Sequence, residues 1–179
     1  MLCSLYFSFI FCGLTYSNFL KAIWALGKLK INDTKILNVL ATKAGDVATR
    51  NKFNAQELAN IIWGLSKADF DDESLILTLT SCIRNDNIIQ QSTPQEAANV
   101  MYALGRMMIH DVQTFDAMNK VIMRNLDHAT TQTIANALWA HDRLDLSPPQ
   151  QLFDDWAKEK VDLTGLFINE NADSQFFKE

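Results

Sequence analysis

Three polar chemistries recur at fixed offsets along this chain. Side-chain amides stand at Gln56, Gln95 and Gln132, and again four residues on at Asn60, Asn99 and Asn136. Seven residues beyond each Asn stands a cation, at Lys67, Arg106 and Arg143, with Lys28 upstream in the same register. An amide can donate and accept hydrogen bonds, so it can read the edge of a base. A cation can meet a backbone phosphate. Offsets of four and seven fall close together on a helix of 3.6 residues per turn, so each copy presents one stripe of amide, amide, cation. Stacked copies turn the stripe into three parallel ladders.

Each position also has a purely structural explanation. A Lys or Arg in the last turn of a helix is favoured by the helix dipole with no ligand present. Gln in a first turn is often just solvated. Asn is unfavourable inside a helix because its side chain competes for the backbone, so three recurrences at one register call for a reason. Contact with RNA is one; a buried Asn bridging adjacent repeats is the other.

The elements that position these residues are legible from a repeat. Ala59-Asn60-Ile61-Ile62-Trp63-Gly64-Leu65 comes back as Ala98-Asn99-Val100-Met101-Tyr102-Ala103-Leu104 and as Ala135-Asn136-Ala137-Leu138-Trp139-Ala140-His141. An upstream copy is centred on Trp24. Trp24 to Trp63 and Trp63 to Tyr102 are 39 residues apart, and Tyr102 to Trp139 is 37. A period of that length marks a solenoid built from one supersecondary unit. Leu58, Ile61, Ile62 and Leu65 follow the spacing of one buried helical face. Asn54 with Glu57 reads as a capping box, and Thr93-Pro94-Gln95-Glu96 is a strong helix start. Helices are expected at 18–30, from Asp33 to about Arg50, from Asn54 onward, at about 73–84, from Thr93, at about Val112–Arg124, from Thr130, and at about 149–160 after Pro148-Pro149. The fold class is therefore all-α: an α-solenoid of about four stacked helical hairpins with a 37–39-residue period. Small residues at Ala59, Gly64, Ala98 and Ala103 let neighbouring helices approach closely, and the Trp63 class reads as packing between repeats, with base stacking as the alternative.

Composition agrees. Six Gly and three Pro in 179 residues suit helices better than a loop-rich β architecture. Cys3, Cys12 and Cys82 have no metal-like spacing and read as packing thiols of a reducing compartment. Net charge is −5, but residues 142–179 hold nine of the 21 acids and four of the 16 bases, which leaves 1–141 neutral. The repeat body carries no global field against a polyanion, and a local basic stripe can act.

Three segments follow: an apolar N-terminal segment, 1–17; the repeat array, 18–161; and an acidic tail, 162–179. The first has no charge, is too short to span a bilayer, lacks a basic n-region, and is neither Arg-rich nor amphipathic as a transit peptide is. It reads as part of an array that starts earlier, packed on the first helix, with a signal peptide as the alternative.

The segments Ala59–Lys67 and Ala135–His141, with Pro94 before Gln-Glu-Ala-Ala-Asn, resemble the helical repeat of octotricopeptide-repeat proteins. They are also similar to repeats of FAST-kinase-domain and RAP-domain proteins and of helical-repeat subunits of mitochondrial RNA-editing complexes. The resemblance covers about 18–160. It implies an array that binds single-stranded RNA in a mitochondrion or chloroplast and supports RNA processing, stability or translation, with protein partners in an RNA-processing complex. A HEAT- or armadillo-type protein scaffold is the alternative. Lys21 stands where the first copy would have Asn, Tyr102 where the third would have Trp, and His141 where the fourth would have Leu. No RAP-like nuclease segment follows the array, so the resemblance implies no catalysis.

No Gly-rich phosphate loop, nucleophile elbow or metal spacing occurs, and His110, His128 and His141 form no ligand pair. No enzyme, cofactor, metal site or membrane span is expected. Asp71, Asp72 and Glu73 read as a solvated turn and helix start. His141 shares the register of Leu26, Leu65 and Leu104. A core Leu gives way to His most easily where the site is wet, so His141 is expected to be more exposed than Leu65 or Leu104 and to begin a C-terminal cap.

Overall fold

A computed structural model describes residues 16–50, 52–152 and 154. Those residues contain helices and no strand. The chain divides into two units, Met1–Ser92 and Thr93–Glu179. The acidic tail and most of the apolar N-terminal segment and of the expected 149–160 helix lie outside the described residues; 150–152 are helical, and Leu152 is buried.

Unit 1 contains α1 (Tyr16–Lys28), α2 (Thr34–Ala48), α3 (Ala55–Lys67), α4 (Glu73–Ile83) and α5 (Asp86–Gln91). The starts are set by side chains that satisfy free backbone N–H groups. Asp33 accepts from Lys35 and Ile36, and Asp72 accepts from Leu75. Asn54 and Glu57 close the capping box expected from their spacing. First helices pack on first helices, α1 on α3, and second on second, α2 on α4. This like-on-like stacking is what makes a repeat array rather than a bundle. The core of the unit includes Ile23, Leu37, Leu58, Ile62, Leu65, Ile76 and Leu79.

The α1–α3 contact is close because two glycines face each other. A Cβ on Gly64 would lie 2.9 Å from the carbonyl oxygen of Ile23, and one on Gly27 would lie 2.8 Å from the Cα of Gly64. The sequence offers no strong signal for α5, which has fewer than two turns and is capped by Asn85.

Unit 2 contains α6 (Pro94–Met107), α7 (Val112–Arg124), a 3-10 turn at Leu126–His128 and α8 (Thr131–Arg143). The helix α6 opens with a capping box between Thr93 and Glu96 and with Pro94 in its first turn. It packs on α8 and α7. At Gly105 a Cβ would lie 3.1 Å from the Cα of Ala140, so α6 and α8 also approach closely.

One recurrence escapes a reading of side-chain types. Lys30, Asp69, Met108 and Asp145 all have left-handed backbone, with φ between 53° and 58°. Each ends the first helix of its copy. The next residue, Ile31, Phe70, Ile109 or Leu146, then donates its N–H to the carbonyl of Leu26, Leu65, Leu104 or His141. This six-to-one closure with an apolar residue after the turn is a Schellman-type end. It reverses the chain into the second helix of each hairpin without a glycine.

His141 corrects the expectation of a wet cap. It is 1% exposed, against 0% for Leu65 and Leu104. Its ring is accommodated because both nitrogens find partners: Nδ1 lies 2.9 Å from the carbonyl of Ala137 and Nε2 lies 3.2 Å from Nδ2 of Asn119. The ring also meets Phe115 edge-on, with centroids 5.1 Å apart. Desolvation holds its pKa below the ordinary 6.5, opposed by the Ala137 carbonyl and Asp116. A neutral imidazole with Nδ1–H donating to Ala137 and Nε2 accepting from Asn119 satisfies both contacts.

Candidate nucleic-acid interface

Unit 1 carries the full polar stripe on α3 and only its cation, Lys28, on α1, and unit 2 carries the stripe on both α6 and α8. In unit 1, Gln56 is exposed in the first turn of α3 and Asn60 is half-buried one turn on. Lys67 is 8% exposed, and its ammonium lies 5.6 Å from the ring centre of Trp63. That cation–π contact holds the charge against the helix's own aromatic. Lys28 is half-buried at the end of α1. Trp63 itself is 2% exposed and belongs to the core, as the packing reading of that position holds.

Unit 2 brings the amides together. The first two turns of α6 and α8 flank a small cleft of about 130 Å³, lined by Gln95, Asn99, Thr130, Gln132, Thr133 and Asn136 with Ala98. Four of these seven are the amides selected by spacing. They converge because α6 and α8 pack side by side in register, so equivalent positions of consecutive copies face one another. Gln95 is exposed, Gln132 and Asn136 are half-buried, and Asn99 is 6% exposed. The buried Oδ1 of Asn99 has no hydrogen-bond partner among the described residues. Asn99 therefore does not bridge the helices through that atom, although its burial fits a structural Asn.

One turn beyond Asn99 and Asn136, Tyr102 and Trp139 pack against each other with ring centres 4.8 Å apart and planes tilted by 35°. The cations follow at the C-terminal ends, Arg106 half-buried and Arg143 exposed. Residue spacing did not single out Thr133 or assign Thr130 more than a capping role. Thr130 accepts from the N–H of Thr133, and the two hydroxyls lie 2.9 Å apart. The available signal was the cap itself, since an N-cap sits beside the first-turn amides by construction.

No three His, Cys, Asp or Glu side chains converge as metal ligands among the described residues, and no helix there is long and apolar enough to cross a membrane. Cys82 is half-buried and free. The family model described as RNA-editing substrate-binding complex 6 protein matches residues 6–164. No curated protein matches the chain.

Proposed function

The chain belongs to the RNA-editing substrate-binding complex 6 protein family, and from that premise we propose that it is a non-catalytic subunit of an RNA-editing complex that holds single-stranded RNA on its helical repeats. The convergence of Gln95, Asn99, Gln132 and Asn136 on one cleft is the observation that carries the reading. In this reading the amides face bases, and Arg106 and Arg143 with Lys28 neutralise phosphates. Gln56 and Asn60 offer the same chemistry in unit 1. Lys67 serves a phosphate only by leaving Trp63, so it contributes least. The family's editing context supports a mitochondrial location. It also supports protein partners, for which Met108 and Val112, 49% and 51% exposed at the α6–α7 corner, offer apolar surface.

The test is a titration of the full chain with fluorescent single-stranded RNA at several salt concentrations. Each phosphate contact on a single strand contributes about 0.7 to the slope of log affinity against log salt. Arg106→Ala with Arg143→Ala is expected to weaken binding to every sequence and to lower the slope by roughly 1.4. Unchanged affinity in the folded double variant would remove the RNA reading and leave the protein-scaffold reading.

A further inference from the structure

We propose that Tyr102 and Trp139 form a stacking platform for one unpaired nucleobase, and that this platform makes unit 2 select single-stranded over double-stranded RNA. This rests on the RNA-binding reading and adds to it the pair of side chains that takes the ring of the base. The two rings stand side by side on α6 and α8, with centres 4.8 Å apart and planes tilted by 35°. On its inner side Trp139 fills the space that Gly105 leaves, where a Cβ would lie 3.3 Å from Cζ3 of the indole. Both rings nevertheless keep solvent-accessible surface, being half-buried. The equivalent Trp63 does not: it is 2% exposed, and the Lys67 ammonium lies 5.6 Å from its ring centre. Packing between helices is served by the closed arrangement at Trp63, whereas the accessible ring surface of unit 2 is open to a ligand.

The order of groups along the stripe matches the order of groups along a nucleotide. Asn99 and Asn136 stand three residues before the rings, about 4.5 Å along the helix axis, and Arg106 and Arg143 stand four residues after them, about 6 Å. A nucleotide likewise presents a hydrogen-bonding edge, then its ring, then ribose and phosphate. A base lying on Tyr102 and Trp139 with its edge toward the amides therefore directs its phosphate toward the cations. Every base has a π-face, so stacking on aromatic side chains is tolerant of sequence. In a duplex both faces of each base are already stacked inside the helix, and only the phosphates are left for the protein to meet. Single strands thus engage rings and cations together, and duplexes engage the cations alone.

The experiment compares the full chain binding a mixed-sequence single-stranded RNA, an abasic strand of the same length that keeps every ribose and phosphate, and the corresponding RNA duplex. The expected result is roughly tenfold tighter binding of the base-bearing single strand than of the abasic strand. In Tyr102→Leu and Trp139→Leu that ratio is expected to fall toward one while the salt slope stays, because the phosphate contacts are untouched. Tyr102→Phe, which keeps the ring, is expected to retain the ratio. A purely structural pair would lower the melting temperature of the Leu variants and leave the ratio as it was. Stacking also quenches indole fluorescence, so the single strand is expected to quench the unmodified chain more than Trp139→Phe, a comparison that holds even where a Leu variant fails to fold. Equal binding of base-bearing and abasic strands by the unmodified chain overturns the platform while leaving phosphate binding intact. A retained ratio in a folded Leu variant, or equal quenching of the unmodified chain and Trp139→Phe, overturns it as well. Absence of RNA binding at low salt overturns both this inference and the reading beneath it.

Discussion

Adding one methyl group at each of three helical glycines should have three different consequences. In a helix interior, Gly→Ala is worth about 1 kcal/mol in favour of Ala. The surroundings decide whether that gain survives. At Gly64 the new Cβ would sit 2.9 Å from the carbonyl oxygen of Ile23, 3.2 Å from its carbonyl carbon and 3.0 Å from its Cγ2. Two of those three atoms are backbone, so relief requires α1 and α3 to move apart, at an overpacking cost of about 2–3 kcal/mol, the upper part of the usual range. At Gly105 the nearest atoms are Cα and Cβ of Ala140 and a ring carbon of Trp139, at 3.1–3.3 Å. A shift of a few tenths of an ångström suffices, and cost and gain nearly cancel. At Gly45 only Cδ1 of Leu75 is close, at 2.7 Å, and a terminal methyl can turn away. Gly64→Ala is therefore expected to be destabilised by about 1–2 kcal/mol, Gly105→Ala to change by under about 1 kcal/mol, and Gly45→Ala to be neutral or stabilised. Urea unfolding followed by far-UV circular dichroism ranks the three. A Gly64→Ala protein as stable as the unmodified chain, or less affected than Gly45→Ala, would refute the claim that backbone contact at Gly27 and Gly64 sets the helix spacing.

Protonation of buried His141 should lower stability in acid. Its folded pKa lies below the 6.5 of the free side chain, so its contribution is complete above 6.5 and is lost as pH falls through the folded value. The slope in that window reaches at most about 1.4 kcal/mol per pH unit, and unfolding of His141→Gln beside the unmodified chain at a series of pH values should show it flattened. Met108 holds a left-handed φ of 58° at the end of α6. Met108→Gly should stabilise by up to about 1 kcal/mol, and a lower denaturant midpoint would contradict this. Thr93→Ala removes half of the α6 capping box and should cost about 1 kcal/mol in the same assay, with Thr93→Ser retaining most of it.

The repeat, its helices and their caps were legible in the chain itself because they rest on short-range physics. A capping box spans three residues, a buried face repeats every three or four, and the hairpin period follows from those units placed end to end. The bounds of α7 accordingly match the expected Val112–Arg124, and the caps of α2, α3, α6 and α8 match Asp33, Asn54, Thr93 and Thr130. The polar stripe was legible for the same reason, as a register on one helix. What each member of the stripe experiences was not. Lys67 and Arg143 are equivalent in sequence, yet one is packed on Trp63 and the other is exposed. Asn99 is buried while Asn60 and Asn136 are half-buried. His141 was read as wet because its partner Asn119 stands 22 residues away on the second helix of the preceding hairpin. Burial and pairing depend on which side chains the neighbouring helix brings within a few ångströms, and that is decided by helix spacing at Gly64 and Gly105, a property of the packed units rather than of any one stretch of chain.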